Sequence, residues 1–331
     1  MKPAHVMQAT MTTAGLRVAV RCEVGWVTER LLDGADGHLV EGDPSGADLA
    51  VVVEAGRSPF PTQGWRAVTR ESWCQDGEVV VSDVATSGFD LRLTWDGAVP
   101  VMTFRYRPPR RTRAAGLVLR SRARLLLRAA LLQFPVLWTV SMLGRAPVHA
   151  TAVDAGPAGP VLLVGASGAG KTTMVERSAA AGGRWVSDNL AVTDGRTLWG
   201  LVEPVRSAHG DGRSAPHGRR ETRLAGRVDC LRPAALVVLA RGPCLQVARL
   251  DPEAAARDLV ASTYAAGELR RYWPLHAALS LGSRAGPAHP AVQEVAQSLA
   301  IRMPCFAVEL PPGDTTAPAG LLAGVETRSW T

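Results

Sequence analysis

Lysine is almost missing from this 331-residue chain: only Lys2 and Lys171 occur, and the remaining basic residues are arginine. With so few lysines the N-K-x-D element of GTPases cannot exist, which removes the usual guanine signal. A lysine kept against such a bias carries more information than usual. Cysteine is also sparse. The five cysteines (22, 74, 230, 244, 305) form no CxxC and no short cluster. A disulfide scaffold and a zinc knuckle are therefore excluded, and the cysteines read as small core residues. Acid is missing from one stretch. Between Arg105 and Arg128 there are nine arginines and no Asp or Glu. This segment carries +9, leaving the rest of the chain at −2 against a total of +7, so the protein has one basic segment rather than a basic surface. A clean apolar run is missing too. Leu125–Leu143 is interrupted by Arg128, Gln133 and Pro135, short of the roughly 20 apolar residues of a membrane span. It reads as a buried amphipathic helix broken at Pro135. Residues Met1 to Ala14 lack a signal-like apolar core, so cytoplasm is the expected location and no membrane partner is expected. Glycine and proline show no three-residue period, which excludes a collagen-like chain.

What is present is a foldable composition, 47% apolar and 20% charged. The length favours two domains. The expected fold class is α/β: a β-rich recognition domain over 1–110, a helical linker over 111–145, and an α/β phosphate-loop domain over 146–331. Val-rich runs between turn residues predict strands at Leu16–Cys22, Asp48–Glu54, Glu78–Ser82, Asp90–Trp95 and Pro100–Tyr106. Gly56 to Gly77 reads as loop. A helix is predicted over Ala114–Gln133, with Leu117, Leu125, Leu131 and Leu132 inward and Arg120, Arg124 and Arg128 outward. Beyond it, strands are predicted at Val148–Ala155, Pro160–Val164, Arg184–Val186, Ala234–Ala240, Leu245–Leu250 and Phe306–Leu310. Helices are predicted at Lys171–Ala181, Pro252–Tyr264, Glu268–Leu281 and Pro290–Arg302, and a turn-rich stretch at Thr193–Gly226. Strands alternating with helices argue for an α/β domain.

Gly165-Ala-Ser167-Gly168-Ala169-Gly170-Lys171-Thr172 fits G-x-x-x-x-G-K-[ST] without mismatch, between an apolar strand and an Ala-rich helix. Glycines let backbone N–H groups turn toward phosphate oxygens, and the helix start adds partial positive charge. Lys171 would neutralise the β- and γ-phosphates, the Thr172 hydroxyl would ligate Mg2+, and Thr173 completes the first helical turn. ATP and Mg2+ are the expected cofactors. The buried strand Ala234–Ala240 runs into Arg241-Gly242 and not into an acid, which weighs against a mechanical ATPase.

His149 precedes the loop by 16 residues, and Gly183-Arg-Trp-Val-Ser-Asp188-Asn189 follows its helix. This order resembles the kinase domain of the HPr kinase/phosphorylase family. The resemblance is good over about 147–192 and organisational from there to about 310. It implies transfer of the γ-phosphoryl group of ATP to a serine-type hydroxyl. It also implies Asp188 as base or metal-site acid, His149 near the transferred phosphate, and Glu203 as a further acid toward Mg2+. The family's second aspartate is Asn189 here. Asparagine can ligate a metal but cannot take a proton. Relatives in this family that phosphorylate ribosomally made peptides suggest a peptide or protein substrate, and family members self-associate, so a homo-oligomer is expected. A small-metabolite kinase and a non-catalytic nucleotide-binding regulator are the alternatives.

Ser207–Arg227 is rich in Gly, His and Arg (His209, Arg213, His217, Arg219, Arg220, Arg223, Arg227) and reads as a solvated loop, or as one that closes on ATP with an arginine. In Glu268-Leu-Arg-Arg-Tyr-Trp273, helical spacing puts Leu269, Tyr272 and Trp273 inward. The Arg105–Arg128 segment lacks stacking aromatics beyond Tyr106, so no nucleic-acid partner is expected. It reads as a linker helix, or as a docking surface for an acidic peptide.

Overall fold

The structure, a computed structural model, describes residues 6–208 and 212–322. His209 lies outside the described residues, as do the side chains of Leu117 and His217.

The first nine strands form one sheet: β1 (Met7–Thr13), β2 (Leu16–Cys22), β3 (Val40–Glu41), β4 (Leu49–Glu54), β5 (Arg66–Thr69), β6 (Ser72–Gln75), β7 (Glu78–Val81), β8 (Phe89–Asp96) and β9 (Val99–Tyr106). Their spatial order is β3-β1-β2-β4-β9-β8-β7-β6-β5. β2, β4 and β9 are parallel neighbours, and hairpins extend the sheet on both sides. A short helix, α1 (Gly25–Gly34), supplies the crossover between β2 and β4, burying Val27 and Leu31. All five strands predicted in this region are present within a residue or so at each end. The expected loop over 56–77 instead holds β5 and β6. Their run is short and polar on its outer face, so its alternation was too weak to read.

Next come α2 (Arg110–Val118), α3 (Arg120–Arg128), a π-helical turn (Ala129–Gln133) and α4 (Phe134–Met142). The helix does not break at Pro135. Proline lacks the N–H for an i→i−4 bond, and the widened turn just before it absorbs that loss. Arg120–Met142 is a continuous 23-residue helical run with mean hydropathy 1.5, long and apolar enough by composition to cross a membrane. Its apolar windows are 83% buried against the rest of the protein. Arg128, expected to face outward, is 4% exposed.

The second half contains β10 (Ala146–Val148), β11 (Thr151–Asp154), β12 (Pro160–Val164), α5 (Lys171–Ala180), β13 (Ala191–Thr193), β14 (Leu198–Gly200), β15 (Val205–Ser207), β16 (Arg213–Ser214), β17 (Arg220–Thr222), β18 (Cys230–Leu231), β19 (Ala235–Arg241), β20 (Gln246–Arg249), α6 (Pro252–Ala265), α7 (Gly267–Ser283), α8 (Val292–Arg302) and β21 (Cys305–Leu310). A five-stranded sheet runs β11-β12-β19-β21-β20, with β12, β19 and β21 parallel. Parallel strands buried on both faces need near-continuous apolar runs, and Val161–Val164 and Leu236–Val237 supply them at 0% exposure. Two small sheets flank it, β10-β13-β14-β18 and β15-β17-β16. Among the described residues, the turn-rich stretch 193–226 therefore contains four short strands, β14 to β17. Arg184–Val186 is not a strand, since only Trp185 makes isolated bridges there. The expected strand Val148–Ala155 is two strands with a bend at His149.

The expected boundaries at 110 and 145 do not divide the core. One hydrophobic cluster joins Val18, Val51 and Phe104 of the first sheet to Leu137 and Trp138 of α4. The same cluster takes in Leu190 and Leu201 and, from α7, Leu269, Tyr272 and Leu279.

Candidate functional site

The glycine loop leaves the C-terminal end of β12 and feeds α5, on the edge where β12, β19 and β21 all end. In open α/β sheets this edge is where ligands bind. Gly165 has φ +148°, and a Cβ there would stand 2.5 Å from the Leu239 carbonyl oxygen. Only glycine lets the loop settle onto the end of β19. From that strand Arg241 reaches back, its Nε donating to the Gly168 carbonyl at 3.1 Å. Ser167 and Gly168 form the exposed lip, while Ala169 and Gly170 are buried beneath it. α5 begins at Lys171 with no side-chain cap, so the N–H groups of its first turn, including those of Thr172 and Thr173, have no side-chain acceptor. These donors and the helix dipole favour an anion.

Lys171 is 5% exposed. Its Nζ donates to the Gly165 carbonyl at 2.6 Å and the Ala166 carbonyl at 3.3 Å. Burial lowers the ammonium to about 8; the Asp188 charge opposes this and the Arg219 charge adds to it. Thus Arg219, immediately before β17, lies within electrostatic reach of the loop.

Asp188 and Asn189 form the facing wall. The backbone N–H of Arg206 donates to Asp188 Oδ2 at 3.0 Å, while Oδ1 is buried without a hydrogen-bond partner. Ser187 Oγ and Asn189 Nδ2 are also buried and unpartnered. Three orphaned polar atoms on consecutive residues beside a buried lysine need an explanation, and a polar ligand supplies one.

His149 sits in the bend between β10 and β11. Its backbone N–H donates to Thr263 Oγ1 at 3.1 Å, and its Nδ1 lies 3.2 Å from the Ser262 carbonyl. That carbonyl makes Nδ1 the protonated nitrogen and leaves Nε2 free of hydrogen. The Asn189 side chain lies beside the ring. Burial, reinforced by the Lys171 charge, drives the imidazole down to about 4. His149 is therefore neutral at physiological pH.

Glu203 lies behind this wall at 3% exposure. Gln133 Nε2 donates to its Oε2 at 3.1 Å, the Leu190 N–H approaches Oε1 at 3.4 Å, and Arg128 stands 3.8 Å away. Burial raises its carboxyl against the pull of Arg206 and Arg128. Both oxygens are thus engaged, and Glu203 is supporting framework rather than an open ligand. Arg128 also pairs with Glu221 at 3.0 Å, and Arg206 with Glu268 at 2.8 Å. Burial would raise Glu268, but the Arg206 charge and hydrogen bond bring it below its ordinary value. A buried ionic chain thus runs from the α3 helix through Glu203 and Arg206 to the start of α7, and it fixes the backbone that holds Asp188.

The structure brings Lys171, Asp188, Asn189 and His149 together with Thr172. It adds Arg206, Arg128, Gln133 and Glu268, which the sequence did not point to, and Arg219, one of the arginines of the stretch that could close on ATP. The one signal for Arg206 was a charge beside Val205 in a short strand, and for Glu268 an acid opening an amphipathic helix. Leu269 and Tyr272 are buried as expected. Thr172 hydroxyl and Asp188 carboxylate are hard oxygen donors of the kind Mg2+ takes, and the free Asp188 Oδ1 fits that use. Among the described residues no group of three His, Cys, Asp or Glu side chains gathers as a metal site. The depression lined by Thr10, Arg17, His38 and Asp229 shares no residue with this site.

No family model matches the chain, and no curated protein matches it.

Proposed function

We propose that the chain is an ATP- and Mg2+-dependent phosphotransferase whose acceptor is a hydroxyl, Ser or Thr, in a peptide or protein. The observation that carries this reading is the convergence of a buried lysine in a glycine loop with an aspartate whose second oxygen has no partner. Mg2+, when bound, would neutralise charge on the β- and γ-phosphate oxygens. Thr172 and Asp188 would hold it, with Asn189 at its margin.

The residues divide the work as follows. The loop N–H groups and Lys171 orient the triphosphate. Asp188 accepts the acceptor hydroxyl's proton as the new oxygen–phosphorus bond forms. The bond between the γ-phosphorus and its bridging oxygen breaks, and ADP leaves with that electron pair. His149, neutral and held by Ser262 and Thr263, stands beside Asn189 and brings no charge of its own. Such chemistry needs positioned charge more than covalent intermediates.

Asn189 favours one second reading. Where a paired acid would stand, asparagine cannot take a proton, and a protein that binds nucleotide to gate a partner needs none. Mass spectrometry of hydroxyl peptides incubated with protein, ATP and Mg2+ separates the two. Phosphotransfer predicts one added phosphate, lost in Lys171→Ala and in Asp188→Asn. Lysine-dependent ATP binding with no modified acceptor would leave only the gating reading.

A further inference from the structure

The basic segment is not consumed by the site. Of its nine arginines, Arg105 pairs with Glu54, Arg107 with Asp90, and Arg128 with Glu203 and Glu221. Arg110, Arg111, Arg113 and Arg122 are exposed, and none lies in an ion pair among the described residues. They stand on α2 and α3, joined at Leu119, where the backbone leaves helical geometry. No α2 residue whose side chain is described is buried. Val118 is 81% exposed and Leu119 50%. The helix has no side-chain cap and no acid in its first turn. Arg110 and Arg113, one turn apart, repel each other. A nine-residue helix with so little support is marginal alone. It gains most from a partner that brings negative charge and some apolar contact.

The ridge also points somewhere. α3 descends from Arg120 to Arg128 over about 13 Å. At its inner end Arg128 enters the buried ionic chain behind Asp188. Arg124 donates to the Ser214 carbonyl, in the small sheet whose β17 strand begins beside Arg219. Through Arg124, Ser214 and the β16–β17 pair the ridge thus connects to Arg219, whose charge acts on Lys171.

We propose that the α2–α3 arginine ridge docks an acidic segment of the peptide acceptor and so selects hydroxyls that lie near clustered Asp or Glu. The span of α3 sets the acidic segment roughly four or more residues from the phosphorylated hydroxyl. The inference rests on the phosphotransferase reading for the peptide's fate, whereas the surface itself is tested by binding alone.

The test uses the full chain and a dye-labelled peptide of alternating Glu and Ser, followed by fluorescence anisotropy without nucleotide. The comparison peptide has Gln for Glu. The expected result is binding of the Glu peptide only, weakening with added salt as exposed charge pairs do. Joint replacement of Arg110, Arg111, Arg113 and Arg122 by Gln should weaken it by about tenfold or more, while Arg232→Gln, at an exposed arginine outside the ridge, leaves it unchanged. Circular dichroism checks the fold. Should the joint variant not fold, Arg111→Gln and Arg122→Gln alone, one on each helix, should each weaken binding by about threefold. Equal binding of the two peptides, or unchanged affinity in the Arg variants, overturns the proposal. So does arginine-dependent capture by phosphatidylserine vesicles with no peptide binding, which would make the ridge a membrane contact. Arginine-dependent binding of a peptide that never gains phosphate keeps the ridge and removes phosphotransfer. Equal phosphorylation of both peptides, whatever the arginines, removes the ridge and keeps phosphotransfer.

Discussion

Lys171→Met should make the protein more stable and unable to bind nucleotide. Burial takes the Lys171 ammonium from an ordinary 10.5 to about 8. That difference is worth roughly 3 kcal/mol against folding. Below about 8 the lysine is charged in both the folded and unfolded chain, and the whole cost is present. Between 8 and 10.5 the folded protein sheds the proton while the unfolded chain keeps it, so the cost fades as pH rises. Above 10.5 both states are neutral and it is gone. Methionine removes the cost and keeps most of the apolar stem. It strands the Gly165 and Ala166 carbonyls, which returns about 1–2 kcal/mol. The net gain at neutral pH is about 1–2 kcal/mol, a Tm rise of about 1.5–3 °C for a chain of this length. Thermal unfolding from pH 6 to 10, with and without ATP and Mg2+, measures it. The variant should lead at low pH, the gap should close with rising pH and reverse by about pH 10, where the fading lysine cost drops below that of the stranded carbonyls, and nucleotide should raise only the wild-type Tm. A gap that is negative at pH 6, or constant with pH, refutes the argument that Lys171 is held at a cost for a phosphate.

Asp188→Asn should keep ATP binding, because the side-chain oxygen still accepts from the Arg206 N–H, while phosphate transfer falls by about a hundredfold or more; isothermal titration and a phosphorylation assay read the two separately. Glu203→Ala leaves Arg128 short of a buried partner and should cost about 3–5 kcal/mol in denaturant unfolding, whereas Glu203→Gln keeps the Gln133 and Leu190 contacts in part and should cost less. Gly165→Ala drives a Cβ to 2.5 Å from the Leu239 carbonyl at φ +148° and should abolish ATP binding in a fluorescent-nucleotide assay.

The parts of the fold legible in the sequence were those with a local cause. β2, β12 and α5 are bounded by turns, glycines and unbroken apolar runs, and they stand where the pattern placed them. The glycine loop was legible because its conformation is set by glycine itself. The ionic chain was not legible, since Arg128, Glu203, Arg206 and Glu268 are scattered over 140 residues and meet only through tertiary packing. Arg128 shows the difficulty. On a helix wheel it belongs with Arg120 and Arg124 outside, yet two carboxylates that neighbour it only in space take it inside. Pro135 misled for the opposite reason, because a neighbouring π turn cancels a rule that holds for the residue alone.

The shared core carries the last consequence. A chain restricted to 146–331 retains the glycine loop, Asp188 and His149, but it loses what covers them. Leu190, Leu201, Leu269, Tyr272, Leu275 and Leu279 are buried in the cluster they share with the first sheet and α4. Exposing six such side chains costs on the order of 10 kcal/mol, comparable with the whole stability of a typical domain. Glu203 would lose Arg128 and Gln133 together, leaving the backbone behind Asp188 without its support. The fragment should therefore be insoluble or molten, with no cooperative unfolding and no ATP-induced shift. Co-expression with 1–145 should restore both, because the interface is a core rather than a hinge. A soluble 146–331 fragment that unfolds cooperatively and binds ATP would show that the nucleotide site stands alone and that the first sheet is an appended module.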